Sequence, residues 1–543
     1  MSATDLTAAA AVVDACRAVV DKALRHLASS MGDGARADAI VDANQQVVYD
    51  IAHAAAAVEN ARAVLDYGNK GLLEARITCA FVAEAAYDVA SRSWGRESEW
   101  GIDATTLDVT RSFVATYRSP PFLASLHDDM KGSLGGPRHL DPDYEMVADT
   151  FRRFAEEQVR ERAEHVHRDN GDVPEEIIAG LAEMGGFGLS VPEEYGGFST
   201  GDSGEYVGMV VATEELSRGS LGIGGSLITR PEILTRALVR GGTPEQKQSW
   251  LPRVATAEVM GAVAVTEPDY GSDVAGIKVT ATLSAEGTHY VINGVKTWCT
   301  FGARANVLLL LARTDPDRSK THRGLSLFIV EKPIGDSHGF VFEQPEGGRM
   351  EGRPIDTLGY RGMHSYEIAL VGWRVPKENL IGEESGLGKG FYFQMEGFEN
   401  GRLQTAARAV GLMQAAYEAA VAYADNRVVF GHNIGDYQLT KVKLARMAVV
   451  IQAARQFSYV VANLMGKGEG AMEASMVKAY VCRAAEWVTR EAMQIHGGMG
   501  YAEEYPVSRY FVDARVLSIF EGADETLCLK VIARKLLEGV GTK

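Results

Sequence analysis

Apolar residues recur with helical spacing through the first 93 residues of the chain. Two apolar stripes follow one another, and the glycines at 68 and 71 separate the second stripe from a third helix predicted over 72–93. From there to residue 138 proline and glycine predict a looser connection. We therefore predict a helical N-terminal extension over 1–138. The two stripes consist of Val12, Val13, Cys16, Val19, Val20, Ala23 and Leu24, and of Ile51, Ala55, Val58 and Ala61.

The apolar spacing changes twice in the rest of the chain. It is helical over 139–258, typical of short strands over 259–385, and helical again over 386–543. Asn293-Gly294 predicts a hairpin turn, because both residues tolerate positive φ. Helices and strands do not alternate, and no GxGxxG follows a strand, which argues against a Rossmann dinucleotide site. The predicted fold is mainly α with a central β domain, with strands at 259–265, 278–284, 289–292, 295–300, 307–312, 325–330 and 367–371.

One segment of the extension resembles a segment near the C-terminus. Residues 74–89 match 473–488 without a gap, Phe81 aligns with Tyr480, and Gly71 aligns with Gly470. Two interpretations remain open. Alanine-rich helices look alike in general, or the extension is a partial copy of the C-terminal helices.

Composition and charge exclude several classes of protein. Of the 543 residues 46% are hydrophobic and 23% are charged, which is the balance of a globular protein and not of a disordered one. The net charge of −17 argues against a nucleic-acid partner, which would need a positive field. No apolar run approaches the ~20 residues of a membrane span. Five scattered cysteines without a CxxC pair, and histidines without ligand spacing, favour a reducing, cytoplasmic location and no metal site.

Four clusters of polar residues and glycines carry the chemistry. They are VTEPDYGSD over 265–273, GVKTWCT over 294–300, QIHGGMGY over 494–501 and IFEGADE over 519–525. In this order and spacing, together with RVVFG over 427–431 and Gln438, they resemble the acyl-CoA dehydrogenase family of flavoenzymes. The resemblance covers about 140–543. It implies a helical domain over 139–258, a barrel-like β domain over 259–385 and a C-terminal four-helix bundle over 386–543.

The resemblance implies that Glu521 is the catalytic base. A carboxylate in a desolvated pocket suits this role, because burial raises its pKa toward that of an activated thioester. Gly522 would leave room for the thioester, and the Glu521 backbone N–H would bond its oxygen. Flavin N5 would take the β-hydride. Alternatively, Glu521 caps the helix that begins nearby.

The resemblance also implies FAD as cofactor and a homodimer that shares the FAD site. Thr266 and its neighbours would hold the pyrimidine edge of the flavin, Thr300 would bond near N5, and Trp298 would cover one ring face. Trp298 could equally be a packed core residue. Gly271 and Ser272 would face the phosphates of the ligands, and a neighbouring subunit would contact the ADP half. The implied FAD residues are Ala264, Val265, Thr266, Gly271, Ser272, Trp298, Thr300, Arg427, Phe430, Gln438, Gln494, Ile495, Gly497, Gly498, Ala523 and Glu525.

The extension and the overall length look like the branch of the family that oxidises (2S)-methylsuccinyl-CoA to mesaconyl-CoA, which implies electron-transfer flavoprotein as acceptor. Arg230 or Thr229 would bind the second carboxylate of that substrate, unless Arg230 faces solvent at a helix start. Glu399 and Arg402 match a charged pair beneath the CoA chain, or form an ordinary surface pair. Ser272, Arg230, Glu399, Arg402 and Gly522 are the implied substrate residues.

Some features depart from the family pattern. Ala523 replaces a common threonine, and one extra residue before Arg534 predicts a longer loop. An insert over 344–354 lengthens one β connection. An acyl-CoA oxidase, a dehydrogenase of other specificity and a non-catalytic scaffold remain alternatives.

Overall fold

The computed structural model describes residues 5–30, 36–201, 204–336 and 338–540. Helices account for most of them, and a mixed β-sheet lies in the middle of the sequence, which confirms the predicted fold class. The helices are α1 Leu6–Ser30, α2 Ala37–Ala43, α3 Gln45–Gly68, α4 Leu72–Ser93, α5 Glu97–Trp100, α6 Arg111–Tyr117, α7 Pro120–Asp129, α8 Pro142–Phe154, α9 Glu161–Arg168, α10 Glu175–Glu183, α11 Glu205–Gly219, α12 Thr229–Gly241, α13 Pro244–Ala255, α14 Glu383–Gly386, α15 Gly390–Asn426, α16 Gln438–Met465, α17 Ala471–Ile495, α18 Val507–Leu517, α19 Asp524–Thr526 and α20 Arg534–Val540.

Ten strands accompany these helices in the described part of the chain. Eight belong to the central sheet, in the order β1-β4-β2-β3-β8-β7-β6 with β5 paired to β4, and the last two form a small hairpin. The strands are β1 Gly261–Ala264, β2 Thr280–Leu283, β3 His289–Thr300, β4 Val307–Arg313, β5 Leu325–Glu331, β6 Phe340–Glu343, β7 Arg349–Ile355, β8 Ser365–Pro376, β9 Val428–Val429 and β10 His432–Asn433.

The chain forms two compact units. One contains the residues up to Met146 together with those from Thr405 onward, and the other contains Val147–Gln404. In the first unit α3 contacts α1, α4, α16 and α17 and is buried on nearly every side. A helix that is apolar all round belongs in a core. The extension therefore folds together with the C-terminal helices.

The N-terminal stripe is confirmed, and the connection after it is more regular than predicted. All seven residues of the first stripe are buried on α1. The stretch over 94–138, predicted as loose, contains α5, α6 and α7. Pro120 lies in the first turn of α7 and Ser119 caps it by accepting from the Phe122 N–H. Proline is favoured in a first turn, where its missing N–H has no partner to lose, so proline there marked a helix start.

The segment that resembles the C-terminus contacts its counterpart through a pair of aromatic rings. α4 and α17 begin at aligned positions, Leu72 and Ala471, directly after the aligned glycines. The rings of Phe81 and Tyr480, which also align, contact each other edge to face with centroids 5.9 Å apart. Contact between equivalent residues is typical of two copies related by a two-fold axis. The geometry favours duplication over chance similarity.

The second unit contains the central sheet. β4 and β5 are buried along almost their whole length, and α12 and α13 contribute to the same core through Leu234, Leu238 and Leu251. The predicted hairpin at Asn293-Gly294 is wrong. β3 runs through both residues, with a register irregularity against β8 between Ile292 and Gly294. Gly294 has φ +134° and Asn293 Oδ1 accepts from the Gly372 N–H at 2.7 Å, so the pair forms a bulge.

The predicted insert over 344–354 is also more regular than expected. Its second half forms β7, which pairs with both β6 and β8. β6 and β7 were missed in the sequence because Gly352 and Pro354 interrupt β7, in which the charged residues at 349, 351 and 353 alternate with buried positions. Arg349 illustrates this character, since it bonds Glu343 and Glu351 on the surface.

Candidate active site

One candidate cluster lies in the second unit, where β1 ends beside β3. The Thr297 N–H donates to the Thr266 oxygen at 2.9 Å. This bond brings the predicted residues Ala264, Val265 and Thr266 next to the part of β3 that carries Trp298. A tight turn follows, because Glu267 and Tyr270 exchange two backbone hydrogen bonds. Gly271 and Ser272 come directly after that turn and are exposed. Residues from two separate stretches of sequence thus meet at one end of the sheet.

Lys296 holds the end of β1 and the turn after it in place. Its side chain is fully buried, and Nζ donates to the Val265 oxygen at 2.8 Å and to Glu267 Oε1 at 2.9 Å. Burial lowers the pKa of Lys296, and the nearby Glu267 carboxylate opposes that shift. Glu267 also accepts from the backbone N–H groups of Lys278 and Val279. Neither charged residue was predicted as a site residue, although both lie within the polar clusters over 265–273 and 294–300.

Trp298 is exposed, so the core-packing alternative is wrong. It lies where β3 loses register with β8 between Lys296 and Cys299, has φ +56° and leaves 55% of its side chain accessible. A bulge of this kind re-aims a side chain away from the pleat. Thr300, two residues on, is buried, and its hydroxyl lies 3.0 Å from that of Ser365. A large, flat and exposed side chain fits one face of a planar aromatic ring.

Arg230 lies at the start of α12 and is 5% exposed. The alternative in which it faces solvent is therefore wrong. Thr229 beside it is fully buried. Glu399 and Arg402 are half-buried on α15, one turn apart. Near them Asn400 and Gln404 bond the buried Glu232.

A second candidate cluster lies in the first unit, at the turn between α18 and α19. Glu521 has φ +53° and Gly522 has φ +99°, so two successive residues are left-handed. Glu521 is half-buried. Helix α19 begins at Asp524 after Ala523, which is the residue at the N-cap position. Glu521 is thus not the cap of that helix.

Several side chains hold this turn. Lys478 Nζ on α17 donates to the Gly522 oxygen at 2.6 Å, and the Arg408 guanidinium lies 4.7 Å from the centre of the Phe520 ring. The Asp524 N–H donates to the Ser518 oxygen at 3.1 Å. Lys478 was not predicted. It lies on the apolar stripe of α17 between Ala474 and Val481, and an isolated lysine in such a stripe was the signal for it.

The extra residue before Arg534 does not lengthen the loop as predicted. Residues Leu527–Ala533 form a π-helical stretch that follows α19 directly. A single inserted residue is commonly absorbed in this way, as a π-bulge within a continuing helix. Ala523 is half-buried and Glu525 is exposed at the start of this segment.

The other predicted FAD residues of this unit lie on its surface. The Tyr423 ring, one turn before Arg427, stacks on the buried His496 ring at 4.3 Å, which brings the end of α15 beside the glycine turn over 497–500. A Cβ built on Gly497 or Gly498 would meet nothing within 4 Å, so the backbone there is open to a ligand. The exposed members of the set are Arg427, Phe430, Gln438, Gln494, Gly497 and Gly498, and Ile495 is half-buried.

Family models match almost the whole chain after the extension. Those of the N-terminal, middle and C-terminal domains of acyl-CoA dehydrogenases match residues 141–258, 262–371 and 388–537. The chain belongs to the acyl-CoA dehydrogenase family. The chain is thus an oxidoreductase that acts on the CH–CH group of an acyl-CoA, in a family of flavoproteins. The family models match no part of the extension.

Individual relatives support the same assignment. The chain is 44% identical to (2S)-methylsuccinyl-CoA dehydrogenase of Cereibacter sphaeroides, over 77% of this chain and 73% of that protein. It resembles a glutaryl-coenzyme A dehydrogenase solved with glutaryl-CoA, with TM-score 0.67, 31% identity and coverage of 75% and 97%. It also resembles a chain in the structure of the electron transferring flavoprotein of Acidaminococcus fermentans, with TM-score 0.66, 32% identity and coverage of 74% and 99%.

Proposed function

We propose that this acyl-CoA dehydrogenase oxidises (2S)-methylsuccinyl-CoA to mesaconyl-CoA, with FAD as cofactor and electron-transfer flavoprotein as acceptor. The left-handed turn that presents Glu521 beside Gly522 carries the proposal for the reaction. The 44% identity to a methylsuccinyl-CoA dehydrogenase supports the substrate. A second carboxylate is also present in the glutaryl-CoA bound to a structural relative.

Glu521 acts as the base that takes the proton from the α-carbon. Glu521 is half-buried, and a carboxylate within reach of the α-carbon can act as a general base. As the proton leaves, negative charge develops on the thioester oxygen, and the Glu521 N–H is a fixed donor for that oxygen. Gly522 contributes by its small size next to the reacting carbon.

The residues at the corner of the sheet fit a flavin. FAD would supply the acceptor for the hydride that leaves the β-carbon. The exposed face of Trp298 would cover the ring system, the Thr300 hydroxyl would bond its polar edge, and the backbone around Thr266 would bond the pyrimidine. Gly271 and Ser272 leave exposed backbone and a hydroxyl for phosphate groups. Lys296 bonds the Val265 carbonyl and so fixes the backbone next to Thr266.

Arg230 is the candidate partner for the second carboxylate of the substrate. A buried guanidinium recognises a carboxylate with charge-assisted hydrogen bonds, and the buried hydroxyl of Thr229 lies next to it in sequence. A substrate that lacks the carboxylate would not make these charge-assisted hydrogen bonds. The chain is therefore expected to prefer a dicarboxylic thioester over a simple acyl one.

The surface of the first unit supports a dimer in which a partner subunit contacts the ADP half of FAD. Phe430 is 94% exposed and Tyr501 is 84% exposed, close in sequence to Arg427 and the glycine turn respectively. Exposed aromatic residues of this kind are enriched in interfaces. All five cysteines are free and buried, which suits the proposed reducing cytoplasm. No helix in the described ranges has the length and apolar character that a membrane crossing requires.

Anaerobic titration of the FAD-loaded protein tests the proposal. Methylsuccinyl-CoA should bleach the visible absorbance of the flavin, and butyryl-CoA should do so far less. Glu521→Gln should bind the thioester but bleach at least ~1,000-fold more slowly, since the base is lost. Arg230→Ala should raise the Kd for methylsuccinyl-CoA and leave that for butyryl-CoA unchanged. Bleaching by butyryl-CoA alone would refute the substrate, and rapid peroxide formation in air would indicate an oxidase.

A further inference from the structure

The carboxylate of Asp524 joins the catalytic turn to the N-terminal extension. Asp524 lies three residues after Glu521 and is 7% exposed. Its Oδ2 accepts from the Tyr49 hydroxyl at 2.5 Å and lies 3.0 Å from His53 Nε2. Tyr49 and His53 are four residues apart on α3, so both point from the same face of that helix. Two donors from the extension thus converge on one oxygen beside the site.

The protonation states make these contacts hydrogen bonds to an anion. Burial lowers the pKa of His53, so its ring is neutral near pH 7. Burial of Asp524 favours its neutral acid, but the bonds from His53 and Tyr49 and the charge of Arg483 outweigh this and lower its pKa. The neutral ring therefore donates its Nε2–H to the carboxylate. Cys528, whose Sγ lies 3.4 Å from the same nitrogen, stays a thiol because burial raises its pKa.

The turn needs an anchor on each side of Glu521. A left-handed conformation is strained for a residue with a side chain, and it persists only where the surroundings determine it. Before Glu521, Arg408 holds the Phe520 ring, and at Gly522 Lys478 holds the carbonyl. Both of these contacts come from the C-terminal helices. After Glu521, the side chain of Asp524 is the anchor, and its partners belong to the extension.

We propose that Tyr49 and His53 are positioning residues for the reaction. They hold Asp524 and thereby fix the turn in which the Glu521 carboxylate meets the α-carbon. This inference rests on the proposed function and gives the extension a part in it. The departures from the family pattern at Ala523 and in the π-helical stretch lie at the same contact, where the extension meets the turn.

Hydrogen exchange of the full-length, FAD-loaded protein tests the contact without any substrate. Tyr49→Phe removes one oxygen and keeps the ring packing, and His53→Ala removes the second donor. Both should raise amide exchange in the segment 518–526 about tenfold. His53→Gln should restore slow exchange, because its amide can donate from a similar position. Glu84→Gln is the matched control: it weakens the ion pairs of α4 with Arg446 on α16 and with Arg118, and neither partner belongs to 518–526.

The rate of flavin bleaching by saturating methylsuccinyl-CoA tests the role in catalysis. Tyr49→Phe and His53→Ala should slow it about tenfold, with unchanged FAD content and unchanged Kd for the thioester. His53→Gln should recover most of the rate. A residue that only stabilises the fold would not separate the rate from binding in this way.

Each result has a definite meaning. If amide exchange in 518–526 is faster in the two variants but no thioester bleaches the unaltered protein, the contact is upheld and the proposed function is refuted. Unchanged exchange, or an equal change in Glu84→Gln, would overturn the contact. Faster exchange with an unchanged bleaching rate would overturn the role in catalysis. The side chains of His53, Asp524 and Cys528 are also of types that bind zinc. If the unaltered protein contained one equivalent of zinc and His53→Ala did not, the hydrogen-bonded account would be overturned.

Discussion

A buried lysine helps to determine the geometry of each of the two candidate clusters. Lys478 fixes the Gly522 carbonyl, and Lys296 fixes the Val265 carbonyl while it pairs with Glu267. A buried ammonium is costly unless it is paired, so these positions tolerate little change. The sequence showed the motif residues around them but not their roles. A lysine in an apolar stripe is visible in the sequence, whereas the carbonyl that it binds, 31 residues away in the case of Val265, is not.

We expect Lys296→Met to destabilise the protein by about 3–5 kcal/mol, because the buried Glu267 carboxylate loses its counter-charge. The free energy of unfolding in urea measures this loss. The Val265 carbonyl also loses its donor, so FAD should dissociate faster. The double variant Lys296→Met/Glu267→Gln should recover more than half of the stability, since no unpaired charge remains. A loss below about 1 kcal/mol in the single variant would contradict this account.

At the scale of elements, sequence periodicity located the helices and most strands but not their irregularities. The stripe on α1 was correct at every position, because burial of one helix face leaves a repeating pattern. Asn293-Gly294 was misread because the same residues that favour a hairpin also favour a bulge, and pairing with β8 decides between them. The bulge at Trp298 and the π-helical stretch beside Glu521 likewise depend on neighbours that lie far away in sequence.

The bulge at Gly294 gives a prediction for β3. Its φ of +134° favours glycine, and a Cβ there would lie 2.7 Å from Val279 Cγ2 and 3.1 Å from Val279 Cα. Gly294→Ala should therefore cost roughly 1–3 kcal/mol for the backbone and a similar amount for the clash. Gly347→Ala is the control, because Gly347 has φ +96° but open space around it. Urea denaturation should show the larger loss for Gly294→Ala, and equal losses would refute the steric part.

At the scale of the whole molecule, the extension was predictable as a helical segment but its place was not. The match of 74–89 to 473–488 suggested a copy, and the contact of Phe81 with Tyr480 shows that the two segments meet. The bonds from Tyr49 and His53 to Asp524 join residues more than 470 positions apart, and no periodicity records such a pairing. The extension covers part of α16 through α3, α4 and α7, and part of α17 through α3.

This covered face leads us to predict a homodimer and not a tetramer. If the extension replaces a second copy of the C-terminal helices, one pairing surface is already used within each chain. The other surface, marked by Phe430 and Tyr501, remains exposed. Light scattering should give the mass of two chains. Phe430→Asp should shift that mass to one chain and release FAD, because burying a carboxylate at an apolar contact is unfavourable.

A matched variant on the extension tests whether the effect is specific to this surface or follows from a charge at any exposed aromatic position. Trp94 is also 84% exposed, and it lies at the end of α4, in the part of the chain that is not expected to pair. Trp94→Asp should leave both the mass and the FAD content unchanged. A tetramer mass for the unaltered protein would refute the replacement of one pairing surface. Loss of the dimer in Trp94→Asp but not in Phe430→Asp would place the subunit contact on the extension, and the ADP half of FAD would then lack the proposed contact from a partner.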